Sequence, residues 1–548
     1  MATPTARRPA DALGALRLVA ALALTAGCID RPAAFDQPLD ILPPVSVAGS
    51  LVYIDRPAAQ ALVLDLQAAS PTARRVAIGA DPVVTEGRLS ASDTPRDEVM
   101  VLSRGLRGER GVAPEPGSLT VVPVRAAAGA PRRYTLQSPF NALAQTADGR
   151  YGLAYFQPST AAGRLLFNPN EVALIDLDAA PGESNPRPRT VRSFGGVPNA
   201  VEFSPRMNIN GRPRTLALVY SDAYVTLLDL DNPGRAEITV RLTLPEDTRA
   251  IRPTQAVFDT ESATVYLRAA ASNDIYALRL EPSTPADATA NDFRPSINQL
   301  AAGQNPTDMA LIGEADARRL LVVSPGSRDA RVIDARANTT LNIPLEAPAH
   351  SILLFTGPSP RDTTARPRAL LYSAANVSAV SFLELTDLEA RRGQNVDTLQ
   401  LGRPVTAAVP LTERGVVMLG HPAGNGAAGQ LSLLDLGRRT AAPILAEVSL
   451  GGARFDDDRQ TLWVAPRAGE RLGFIDLQSF RPGEVRLDGP VTDVIPLRGD
   501  AMGRTRVAAV HAAPGGWVTL LDARAPRRET ATSVRGFLLS DILDTEAP

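Results

Sequence analysis

One phrase recurs along this chain and limits what it can fold into: three or four apolar residues, an aspartate, one more apolar residue, then turn formers. Leu62-Val63-Leu64-Asp65-Leu66 and Ser432-Leu433-Leu434-Asp435-Leu436 show its form. The phrase carries its aspartate at Asp65, Asp176, Asp229, Asp334, Asp435, Asp476 and Asp522, and degenerate copies centre on Pro123, Arg279 and Glu384. Successive copies lie 41 to 58 residues apart, about 51 on average. A second marker keeps the same period. A proline precedes a new apolar run at Pro139, Pro198, Pro253, Pro306, Pro348, Pro404 and Pro490. Proline is tolerated at a strand start because its missing N–H need not join the ladder. A repeat of this length signals a solenoid, array or propeller.

The inside of a unit reads as strands and turns. In the fifth, 254–258, 264–267, 275–280 and 297–300 are rich in β-branched and aromatic residues, with Asp, Ser and Asn clusters between them. Those are strand and turn signals. Four antiparallel strands per unit at this period describe the blades of an all-β propeller. Runs such as Leu216-Ala217-Leu218-Val219-Tyr220 are apolar on both faces, as suits a strand sandwiched between two blades. Ten units are counted. Single rings of four to eight blades are common, so split blades, a rarer ten-bladed ring and two rings in one chain are the alternatives; the favoured expectation is one closed ring of seven to ten blades, with Gly536-Phe537-Leu538-Leu539 closing it against the N-terminal unit.

The units resemble the YVTN-type propeller repeat of bacterial surface proteins. Gly195-Gly196-Val197-Pro198-Asn199-Ala200-Val201-Glu202-Phe203-Ser204-Pro205 is similar to that repeat's opening, and Thr146-Ala147-Asp148-Gly149-Arg150-Tyr151 to its turn and following strand. The resemblance covers roughly 48–540 and implies fold and envelope location, without a reaction.

The N-terminus reads as an export signal. Arg7, Arg8 and Arg17 precede a short apolar run, 18–24, and then Thr25-Ala26-Gly27-Cys28. Charge, apolar stretch and small residues in that order make a signal peptide, and the run is too short to span a bilayer. The small residues before Cys28 resemble the lipobox of bacterial lipoproteins, which implies acylation of this cysteine, the only one in the chain. The expected organisation is a signal peptide at 1–27, a lipidated cysteine and proline-rich tether at 28–47, a propeller at 48–540 and a tail at 541–548. Its expected place is lipid-anchored in the cell envelope.

With 57 basic and 59 acidic residues and no charge block, the chain lacks the basic excess of a nucleic-acid binder. All its cationic side chains other than histidine are arginine. The expected partners are therefore the membrane, through the lipid, and another envelope protein or ligand.

Candidate chemistry is sparse. The seven recurrent aspartates could ring a cation, but one per unit at the same place points to an architectural task, the bonding of turn N–H groups. Gly424-Asn425-Gly426-Ala427-Ala428-Gly429 spells G-x-G-x-x-G, yet a strand follows it where a dinucleotide site needs a helix. Asp456-Asp457-Asp458 lacks the ligand spacing of a calcium loop. The three histidines, His350, His421 and His511, fall on one face in the four-strand scheme, and a divalent-cation site there is the one metal hypothesis. No other cofactor is expected. Two functions follow: a binding module, and alternatively a metal-dependent hydrolase or lactonase-like enzyme with carboxylates or histidines converging at the central channel.

Overall fold

The computed structural model describes residues 40–546 except 68–70, 91–95, 107, 109–112, 126–128, 158–167, 192–196, 244–250, 288, 361, 376, 391–394, 412–413, 423–428, 447–452, 457–460, 465–468, 498–504 and 540–543. Cys28 and the whole signal region lie outside the described residues, as does most of the G-x-G-x-x-G run.

Ten antiparallel sheets follow one another along the chain, nine of four strands and the last of five. These blades cover 41–77, 82–136, 142–190, 200–241, 253–301, 308–344, 351–405, 407–446, 453–486 and 491–546. Each recurrent phrase is the third strand of its blade, from Gln60–Asp65 in the first to Trp517–Asp522 in the tenth. The second and third strands are apolar on both faces because both faces are covered. Tyr151–Tyr155, Leu216–Tyr220 and Thr461–Val464 are buried from end to end.

Ten apolar clusters lie between the blades, each shared by two successive ones. The last joins blade 10 to blade 1: Leu51, Tyr53, Leu62 and Leu64 pack against Leu497, Val518, Leu520, Val534 and Phe537. The chain is thus a single closed ring, a ten-bladed β-propeller.

Three boundaries differ from the sequence reading. Ile41–Val47, placed in the tether, is the innermost strand of blade 1. Pro43-Pro44 read as a stiff spacer, but the innermost strand of a blade is a sheet edge, where proline's missing N–H is no loss. A register shift between Leu42 and Val45 absorbs the two prolines. At the other end, Asp544–Glu546 adds a fifth strand to blade 10 within the expected tail. Residues 536–539 form a turn and pair with no strand. They still reach blade 1, because the Phe537 ring lies 5.2 Å from that of Tyr53 and Arg75 Nη2 donates to the Leu538 carbonyl at 3.0 Å. Closure therefore rests on side-chain packing, with no strand exchanged between the chain ends.

Strand direction defines two faces. First-to-second and third-to-fourth turns lie on one, here the turn face. Second-to-third loops and the links between blades lie on the other, the linker face. The hairpin Met207–Ile209 with Arg212–Arg214 and the long pair Ser351–Ser359 with Asp362–Tyr372 project on the turn face.

Candidate functional site

The seven aspartates close the third strands on the turn face. Asp65, Asp176 and Asp522 each accept the N–H two residues on, at 2.9, 3.0 and 2.9 Å. Asp229, Asp334, Asp435 and Asp476 accept two N–H groups, from residues two and three further on. Asp456 does the same job elsewhere, accepting the Thr461 N–H at 3.0 Å. Among the described residues, no group of three or more His, Cys, Asp or Glu is placed to hold a metal ion.

Two of the three candidate histidines bond through both ring nitrogens. His421 and His511 each end the second strand of their blade and bridge two elements. Nδ1 of His421 meets the Pro404 carbonyl at 2.9 Å and Nε2 meets the Ser432 hydroxyl at 2.9 Å. In His511 the partners are the Pro490 carbonyl at 3.1 Å and the Thr519 hydroxyl at 2.8 Å. With a carbonyl on one nitrogen, the other accepts the hydroxyl, so neither keeps a lone pair for a cation. His350 sits in the link before blade 7, and its Nδ1 meets the Ser373 hydroxyl at 2.7 Å. Register places Ser373 where blade 8 has His421, since Ser351 pairs with Tyr372 and Ala407 with Gly420. The link-to-strand latch is conserved in geometry with its partners exchanged. A hydroxyl beside an imidazole also resembles an activated nucleophile, but Ser373, Ser432 and Thr519 are 0%, 7% and 4% exposed, beyond reach of a substrate.

Burial holds the His511 imidazole below its usual range, and Arg535 adds to this, while the carbonyls of Pro490 and Gly489 act the other way. The unfolded chain therefore binds a proton first as pH falls, and stability is lost between the ordinary histidine range and the lower folded value. Replacing His511 with asparagine is expected to flatten the fall in melting temperature between pH 7.5 and 5.5. An unchanged slope would show that this ring does not carry the pH dependence.

The channel is walled by the ten innermost strands, whose inner edges leave backbone groups unpaired. Side chains that the sequence reading passed over fill this need. Gln145 of blade 3 accepts the Leu89 N–H at 2.8 Å and donates to the Gly87 carbonyl at 2.9 Å, clasping blade 2. Glu202 of blade 4 accepts the Ala256 N–H of blade 5 at 3.0 Å. Gln255 donates to Asp308 of blade 6 at 2.8 Å and accepts from Arg268 at 3.0 Å. Asp308 in turn accepts the Ile352 N–H of blade 7 at 2.7 Å. The signal was present as Pro253-Thr254-Gln255 and Pro306-Thr307-Asp308, a polar residue two places after the marker proline. Burial pushes the Glu86 and Glu202 carboxyls up despite their hydrogen bonds, and lowers the Arg268 guanidinium. These perturbed groups are consumed in stitching blades together.

A further arc of the channel is different. A cavity of about 990 Å³ opens there between blades 8, 9, 10 and 1, lined by Pro43, Val45, Val409, Leu411, Phe455 and Ile495 among others. An ion pair in its lining, Arg454 with Asp493 at 3.8 Å, is partly exposed. Apolar side chains and the polar groups of Ser46, Arg454, Asp456 and Asp493 share its surface about equally.

No protein-family model and no curated protein matches this sequence. Among solved structures it is similar to the dihydro-heme d1 dehydrogenase NirN in complex with DHE, at 14% identity over 81% of this chain and 74% of that one, TM-score 0.40. It is also similar to AztD of Citrobacter koseri, at 12% identity over 72% and 95%, TM-score 0.32, and to hydrazine synthase of Kuenenia stuttgartiensis, at 11% over 61% and 92%, TM-score 0.30. Likenesses this distant carry no argument about ligand or reaction.

Proposed function

We propose that this protein is a lipid-anchored extracytoplasmic propeller that serves as a binding module in the cell envelope. The observation that carries the binding role is the channel cavity, about 990 Å³ in volume and lined by both apolar and polar side chains, in a ring where Gln145, Glu202 and Asp308 are bonded to neighbouring strands. The anchor rests on the signal and lipobox-like residues ending at Cys28. Residues 29–40 separate that cysteine from the first strand. Fully extended, they reach about 40 Å at most. Ile41 starts on the linker face, so the chain enters the ring from that side.

Replacing Cys28 with serine is expected to move nearly all of the protein from the membrane fraction to the soluble one and to abolish labelling by a radioactive fatty acid. Retention in the membrane would overturn the anchor. The binding role is tested by a photocrosslinking amino acid in cells, at Val409 on the channel wall and at Gln299 on an exposed outer strand. A specific adduct from position 409 alone supports it. Equal adducts from both positions, or none, overturn it.

A further inference from the structure

Three arginines are buried in this ring. Arg88, Arg214 and Arg368 are 6%, 1% and 1% exposed. All three sit on the turn face, where blades meet, but they are not equally served. Arg88 donates from Nε to the Gly149 carbonyl at 2.7 Å and from its two terminal nitrogens to Glu98 and Asp178, each at 2.5 Å. Arg214 places its terminal nitrogens on Asp229 at 2.6 Å and Asp292 at 2.5 Å. Arg368 has one carboxylate, Glu384, held from Nε at 2.7 Å and shared with Arg439 at 2.8 Å. Its Nη1 and Nη2 are buried with no hydrogen-bond partner. Buried donors left unmade are costly, and those of a charged group most of all.

Arg368 lines a cavity of about 790 Å³ between blades 6 and 7. Leu311, Leu354, Phe355, Pro367 and Leu388 supply an apolar wall, and Leu354 is exposed toward solvent. The exposed residues Glu314, Asp387 and Glu389 also line it, with Arg319 paired to Glu389 at 3.3 Å. The Arg368 side chain is 1% exposed, so a ligand reaches Nη1 and Nη2 only once the side chains over them move aside; the two N–H groups then match the two oxygens of a planar carboxylate. Three carboxylates against two arginines, one of them paired to Glu389, disfavour anions of higher charge. We infer that this cavity binds a monocarboxylate with an apolar chain, its head on Arg368 and its chain along the Leu311, Leu354 and Phe355 wall. The site lies toward the turn face between blades 6 and 7, separate from the cavity between blades 8, 9, 10 and 1, and stands whether or not the chain is lipidated.

Calorimetric titration of the purified full chain tests it with four probes: octanoate, octylamine, octanol and octyl phosphate. Octanoate is expected to bind one per chain, and the other three at least roughly tenfold more weakly. Arg368→Met should weaken octanoate by a similar factor and leave octanol unchanged. Should that variant fail to fold, Leu354→Glu adds a carboxylate at an exposed position and should weaken octanoate comparably. Equal binding of octanoate and octylamine would overturn the site, as would tighter binding of octyl phosphate. Octanoate binding undiminished in Leu354→Glu would overturn it also.

Discussion

Replacing Arg214 with alanine is expected to destabilise the ring by about 3–5 kcal/mol, the usual cost of removing one partner from a buried ion pair. Arg214 lies in the hairpin inserted between the first and second strands of blade 4. Its guanidinium joins Asp229, at the end of the third strand of the same blade, to Asp292 in blade 5, with side-chain exposures of 1%, 1% and 8%. It also stands 5.5 Å above the centre of the Phe293 ring. Without it Asp292 keeps Arg235 at 2.8 Å, and Asp229 keeps the N–H groups of its turn. Each carboxylate nevertheless stays buried with less compensation. Burial acts to raise Asp292, but Arg214 and Arg235 hold it below the usual carboxylate range. The stability it supplies is present above that range and is lost as pH falls through the lower folded value. Urea unfolding at pH 7 should show a fallen midpoint. A change under about 1 kcal/mol, the worth of an exposed pair, would mean that the cluster is solvated in solution. Arg214→Met combined with Asp292→Asn should recover part of the loss, because it removes a buried charge of each sign.

Phe537→Ala should cost about as much, about 3–5 kcal/mol by the record of buried aromatic truncations, and its effect should be localised. Phe537 is 1% exposed and packs on Tyr53 between blades 10 and 1. At the other nine interfaces the two blades are consecutive in the chain. At this one their strands lie more than four hundred residues apart, and no strand is shared across the seam. A cavity here should open the ring at its ends. Limited proteolysis should cut blades 1 and 10 roughly tenfold faster in Phe537→Ala than in Phe382→Ala, which truncates an equally buried ring between blades 7 and 8. Equal cleavage in the two variants would show that closure does not depend on this packing.

What could be read from the chain alone was local. A third strand ending in aspartate repeats because the carboxylate bonds N–H groups two and three residues on, an interaction settled within one turn. That is why the seven aspartate phrases located seven of the third strands, and their period located the other three. Pro43-Pro44 misled because a proline pair reads as spacer unless the strand is known to be a free edge, which is a property of its place in the ring. What the histidines bond was hidden for the same reason. Their partners, Pro404 and Ser432 for His421, lie 17 and 11 residues away and meet only after the blade has formed.

The sequence by itself determined the repeat, its strands and the turn-capping aspartates, all of which depend on neighbours within a few residues. Only the tertiary structure decided that ten blades close one ring, that Gln145, Glu202 and Asp308 reach across to the next blade, and that Arg368 alone of the three buried arginines has terminal amines left over. Those outcomes depend on contacts between units about fifty residues apart, whose geometry is set by the curvature of the whole ring.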